Sequence, residues 1–115
     1  MKTDQTKREG RAAYKERKII GGIYVIRNSD SDKILLDSAI DLQGRKNRFE
    51  FSQKTGSCID LNLQKDWIAH GKEKFIFEVL EELEKGETQS MNEFKEDIEV
   101  LKLIWLEKLA QVPCY

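Results

Sequence analysis

"GGIYVIRNSDSDKILLDSAIDLQGRKNRF", Gly21 to Phe49, decides the fold. Ile23-Tyr24-Val25-Ile26 is a run of β-branched and aromatic residues, which pack well on a pleated surface. "NSDSD", Asn28 to Asp32, follows, and its short polar side chains bond their own backbone and favour turns. Lys33 to Leu36 is the return strand, apolar over its last three residues. Two short apolar runs joined by turn formers predict an antiparallel hairpin. Asp41 then stands where a helix cap belongs, because its carboxylate can accept the exposed N–H groups of a first turn. The helix is expected to run through Arg48.

Upstream, Gly21-Gly22 are expected to break a preceding helix. Before them, Thr6 to Arg17 reads as a helix with a thin apolar face of Ala12 and Ala13. Residues 1–19 are thus expected as a basic helical extension, 20–110 as the domain, and 111–115 as a tail marked by Pro113. Downstream, "SQKTGS" predicts a loop. Leu61 to Ala69 predicts a second helix, with Leu61 and Ile68 apolar, Trp67 packing, and His70-Gly71 at its exit. Phe75, Phe77 and Val79 alternate with Ile76, Glu78 and Leu80, the period of a strand. "EKGETQ" is an acidic turn. Phe94, Ile98, Leu101, Trp105 and Leu109 recur every three or four residues, predicting a last helix over Asn92 to Ala110. Leu103, Ile104 and Leu106 widen its stripe. The order predicts an α+β domain with a small three-stranded antiparallel sheet flanked by helices.

The 115 residues suffice for one compact domain with one core. Twenty Lys and Arg against 21 Asp and Glu leave a formal charge of −1, so bulk charge gives no reason to expect nucleic acid. The charges are segregated, however. Cations dominate Met1 to Arg27, and acids dominate Glu78 to Glu99. No run approaches the roughly 18 apolar residues of a membrane span, and the start lacks a secretion leader. A cytoplasmic protein without a membrane partner is expected. Cys58 and Cys114 have no metal-ligand spacing. They are expected as reduced structural thiols, with a disulfide between them left open.

"GGIYVI", "KILLDS", "DLQGR" and "DWIAHGKEKFIFEVLEEL" occur in that order. The ordered set resembles the GIY-YIG nuclease family over about Ile20 to Leu109. That family has a Gly-Ile-Tyr strand, a Tyr-Ile-Gly strand beside it, an Arg on the next helix, and a metal-binding Glu on the last one. Gly22-Ile23-Tyr24 match the first signature, and Arg45 falls at the catalytic Arg. The second signature falls on Leu35-Leu36-Asp37, so Leu35 replaces its Tyr and Asp37 its Gly. Phe49 stands where the family often has a His. With Trp105 setting the register, the metal-binding Glu position is Lys102. Glu99, one turn earlier, is the fallback metal ligand.

The resemblance implies phosphodiester chemistry, which needs an activated nucleophile and relief of charge on the phosphoryl oxygens. Mg²⁺ and Mn²⁺ prefer oxygen donors, and a lysine ammonium repels them. A degenerate site that binds nucleic acid, DNA first, without efficient cleavage is therefore expected, with no cofactor. Arg45, Lys46, Arg48 and Lys18 would carry the binding. Asp37 is expected to pair with Lys102 or Arg45. Two other readings stand beside this one. An active endonuclease would use Mg²⁺ or Mn²⁺ on a displaced carboxylate, Glu99 or Asp37. A protein-interaction module would use the wide apolar last helix and the acidic segment. Each residue also has a plain role: Tyr24 as a strand aromatic, the α-helical cations as a solvated face, Lys102 snorkelling, His70 in a turn, and Trp67 and Trp105 in the core.

Overall fold

The computed structural model describes residues 18–58 and 60–115. The helix expected over Thr6 to Arg17 lies outside the described residues. Along the chain follow β1 (Ile20–Asn28), β2 (Ile34–Ala39), α1 (Leu42–Thr55), α2 (Leu61–His70), a 3₁₀ turn (Lys72–Lys74), β3 (Phe75–Glu84) and α3 (Met91–Lys108). The strands form one antiparallel sheet in the order β2-β1-β3.

The period of two divides β1 between two cores. Tyr24 and Ile26 face α1 and α2, where they meet Leu42, Phe49, Leu63, Trp67 and Phe75. Ile23 and Val25 face the other side, with Ile34 and Leu36, beneath Leu101, Trp105 and Leu109 of the α3 segment. A central strand covered on both faces is apolar without alternation, which explains the unbroken Ile-Tyr-Val-Ile run. The hairpin turn closes through Asn28, fully buried, whose Oδ1 accepts the Asp30 N–H at 2.9 Å. Arg27 grips Glu78 across β1 and β3 with two bonds of 3.2 and 3.0 Å.

Several boundaries differ from expectation. β1 starts at Ile20 and takes in Gly21 and Gly22, ahead of the expected start at Ile23. A Cβ on Gly22 would stand 2.0 Å from the Glu81 carbonyl oxygen, so the glycine admits the β3 backbone beside the register shift at Ile23/Tyr24. β2 continues past Leu36 to Ala39, and β3 past Leu80 to Glu84. Val79 keeps the expected phase of Phe75 and Phe77, opposite Tyr24, although it is 43% exposed; the register shift comes after it, at Leu80.

α1 runs to Thr55, not Arg48, through most of the expected "SQKTGS" loop. Its polar residues have partners: Ser52 Oγ donates to the Phe49 carbonyl, and Gln53 donates to the carbonyls of Lys72 and Phe75. Gly56, at φ 85°, ends the helix in the left-handed region. In α2, capped by Asp60, Leu63 and Trp67 are buried, while Leu61 and Ile68 are exposed. α3 starts at Met91, behind a capping box between Ser90 and Glu93. Trp105 is half-buried, its indole N–H donating to Glu81 at 2.8 Å.

Residues 111–115, expected as a tail, line the outer edge of β2. The Ile34 N–H donates to the Pro113 carbonyl, and the Tyr115 N–H to the Ile34 carbonyl, each at 2.9 Å. Tyr115 OH donates to Asp66 at 2.8 Å and accepts from Asn28 at 3.0 Å. The last residues thus satisfy an edge strand that would otherwise present unpaired N–H and C=O groups. Cys58 and Cys114 are thiols, donating to the carbonyls of Asp60 and Val112. Among the described residues no helix is long and apolar enough to cross a membrane.

Candidate functional site

The site forms where β1, β2, α1 and α3 converge. Tyr24 is 2% exposed, its ring stacked on Phe77 at 4.7 Å. Asp37 stands directly opposite Tyr24 across the β1–β2 ladder, so both point to the α1 face. Arg45 is placed by the start of α1. Asp41 caps that helix by accepting the Gly44 N–H at 3.0 Å, and a Cβ on Gly44 would sit 2.5 Å from the Asp41 carboxylate. One residue on, the Arg45 guanidinium donates to Tyr24 OH at 2.6 Å and lies 3.9 Å from Asp37 Oδ2.

Lys102 comes from α3, which packs on the opposite sheet face. Because β2 is an edge strand, its ammonium reaches round that edge and donates to Asp37 Oδ1 at 3.3 Å. The same oxygen accepts the Ser38 N–H at 2.7 Å. The expected ion pair of Asp37 with Lys102 is present, with Arg45 on the other oxygen. One carboxylate therefore bridges two cations, all three side chains about a third exposed.

Tyr24 is shaped by this surrounding. Burial, and then the Asp37 charge, push its phenol above its ordinary value near 10, against the pull of Arg45. At neutral pH it is a hydrogen-bonding phenol, not a base. The raised value has a consequence for stability. Above about pH 10 the unfolded chain releases the tyrosine proton first, so stability holds below that pH and falls as pH rises through the folded value. Tyr24→Phe is expected to flatten this fall in urea denaturation followed from pH 9 to about 11, with a residual slope from Tyr115, whose phenol burial also raises. An unchanged slope would assign the alkaline sensitivity elsewhere.

The donors do not fit the divalent ion that the resemblance implies. Such ions take several oxygen ligands, and here both Asp37 oxygens already face cations. Glu99 is exposed, and among the described residues no group of three or more His, Cys, Asp or Glu could hold a metal. Leu35 pairs with Ile26 and packs against the core, and Phe49 is 3% exposed, edge-on to Trp67. Both are packing positions.

Of the other expected contacts, Lys46 and Arg48 are exposed on α1. Lys18 is not brought to them; it lies 3.9 Å from Glu84 at the end of β3. His70 serves the hairpin turn, its Nδ1 3.1 Å from Asp30. Charge is divided between elements. α1 carries Arg45, Lys46, Arg48 and Lys54 against Glu50 alone, whereas β3 carries Glu78, Glu81, Glu82 and Glu84 with no cation. Phe51, 66% exposed, was missed. Carrying the helical phase past Arg48 places it across the helix from buried Phe49. It borders an open groove of about 600 Å³, formed by Asn47, Arg48 and Thr55 of α1 with Ser57 and Cys58 of the following loop.

No protein-family model matches the sequence, and no curated protein matches it significantly. Two solved structures do. One is an alanine-for-glutamate mutant of the catalytic domain of intron endonuclease I-TevI, at 26% identity and a TM-score of 0.58, covering 80% of this chain and 86% of that one. The other is the catalytic domain of homing endonuclease I-TevI, also 26% identical with a TM-score of 0.58, covering 78% and 88%. The three-stranded sheet with its helices is a GIY-YIG-like fold.

Proposed function

We propose that this chain is a nucleic-acid-binding domain, with DNA as its first partner, on a GIY-YIG-like fold whose phosphodiesterase site is degenerate. One observation carries the reading: the Lys102 ammonium lies 3.3 Å from Asp37, at the position where the resemblance puts a metal-binding glutamate. The neighbouring structures are endonuclease domains by name, which supports a phosphodiester backbone as the ligand class. Arg45 keeps a planar fork suited to two phosphate oxygens. The remaining α1 cations extend that charge along an exposed surface. Hydrolysis would lack both the cation and the second tyrosine, each supplying several kcal/mol of transition-state stabilisation at about the scale seen for oxyanion or metal terms.

Salt-dependent DNA binding tests the reading. Arg45→Ala is expected to weaken binding roughly fivefold and to lower the salt slope by about 1, as loss of one phosphate contact does. Supercoiled plasmid with Mg²⁺ or Mn²⁺ is expected to stay intact. Nicking that disappears in Arg45→Ala would favour the active endonuclease with a displaced carboxylate. Absence of salt-dependent binding would favour the protein-interaction module instead. That module has its own support in exposed Val100, Leu103 and Ile104 on α3.

A further inference from the structure

We propose that the groove between α1 and the Gly56–Cys58 loop receives an unstacked nucleobase, laid on the Phe51 ring, from a single strand whose phosphates run along Arg48 and Arg45. The inference rests on the nucleic-acid reading above and names the form of its ligand.

Phe51 is a large aromatic left 66% exposed in a chain that buries Phe49 two residues earlier. An isolated exposed apolar side chain is ordinary. Phe51 is not isolated: it edges a groove of about 600 Å³, within the range of small-ligand sites. The groove walls are mainly apolar, with one cation and several polar side chains among them. Arg48 and Asn47 line one side, and Ser57 the other. Asn47 accepts from Gln43 through Oδ1 at 2.9 Å, and its NH₂ group has no partner among the described residues. At the far end, Lys72 Nζ donates to the Lys54 carbonyl at 3.5 Å and lies near Gly56. Four cations against one carboxylate on α1 complement a polyanion, not a cationic or neutral surface.

The shape is also preformed. The Trp67 indole N–H donates to the Gly56 carbonyl at 3.1 Å, and the Gly56 N–H donates to the Ser52 carbonyl at 2.8 Å. The loop is thereby fixed against α1, which reduces the ordering cost of binding. An aromatic face beside cations suits bases that are not already stacked, and any base offers such a face. Bases within a duplex are covered on both sides. The ligand that fits is a single strand, or an unpaired nucleotide, without strong sequence preference.

Fluorescence anisotropy with three probes tests this: a short oligothymidylate, an abasic strand of the same length, and a duplex of that length. The wild-type chain is expected to bind oligothymidylate about 5- to 150-fold more tightly than the abasic strand, the range of one base–aromatic stack. Phe51→Leu keeps an apolar side chain but removes the ring face. It is expected to erase most of that preference and leave the thermal midpoint unchanged, since the side chain is exposed. Arg45→Ala should weaken both strands alike. If the strands bind with salt dependence but without base preference, or if Phe51→Leu leaves the preference intact, the groove inference fails and the binding reading stands. If no probe binds, both fall.

Discussion

Trp67→Ala is expected to cost about 3–5 kcal/mol in urea denaturation, the range for removing a buried large aromatic. The side chain is 4% exposed, edge-on to Phe49 at 6.2 Å and tilted against Phe75 at 5.2 Å. It joins α1, α2 and β3 on the Tyr24 face. Its indole N–H also holds the Gly56 carbonyl, so the change leaves a polar group without its partner. Domains of this kind have only about 5–15 kcal/mol in total, so the variant should sit near its unfolding threshold. Trp67→Phe keeps most of the packing and loses the hydrogen bond, for about 1–2 kcal/mol. A loss below about 1.5 kcal/mol for the alanine would mean that the core on this face collapses around the gap.

What the sequence disclosed of the fold follows from which signals are local. The hairpin was legible because Asn28 to Asp32 supply turn chemistry without help from distant residues. α3 was legible because five apolar positions keep one phase. The errors arose where tertiary partners overrule composition. Gly21-Gly22 resemble a breaker until β3 is placed beside Gly22. Ser52, Gln53 and Thr55 resemble a loop until Gln53 finds the carbonyls of Lys72 and Phe75. Leu61 and Ile68 are as apolar as Leu63, and only docking of α2 against the Tyr24-side core selects which residues face inward. The docking of Tyr115 had no sequence signal, because its partners Asn28 and Asp66 are distant along the chain.

The site was legible in its residue types and not in its surroundings. Tyr24, Asp37, Arg45 and Lys102 lie together, and the β1–β2 register and the Asp41 cap that place the first three are short-range consequences of the sequence. The placement of Lys102 also required α3 to lie on the far sheet face with β2 at the edge, which no local pattern specifies. Lys18 shows the reverse. As one of several basic residues early in the chain it looked like part of the same surface, yet pairing with Glu84 takes it to another place. Phe51 and its groove were hidden by ending α1 about two turns too early.

Asp37→Asn is expected to strengthen DNA binding, the opposite of what loss of a catalytic or metal-binding carboxylate would do. Asp37 now accepts from Lys102 at 3.3 Å and faces Arg45 at 3.9 Å. A phosphate held by Arg45 would meet the Asp37 charge at roughly 6 Å. The repulsion there is about 0.7 kcal/mol in water and about 3 kcal/mol at an effective dielectric near 20. Side chains about a third exposed fall between these limits, so about 1–2 kcal/mol, or roughly 5- to 30-fold, is expected. Removing one negative charge from the contact should also steepen the salt dependence by about 0.9 in log–log slope. Folding stability should change by no more than about 1 kcal/mol, since ion pairs this open to solvent contribute little. Titrations at several salt concentrations, on wild type and variant, supply both numbers. Weaker binding in Asp37→Asn, with stability intact, would show that the carboxylate holds Arg45 in its working orientation rather than shielding it. The bridge between two cations would then be a support for the binding group and not a brake on it.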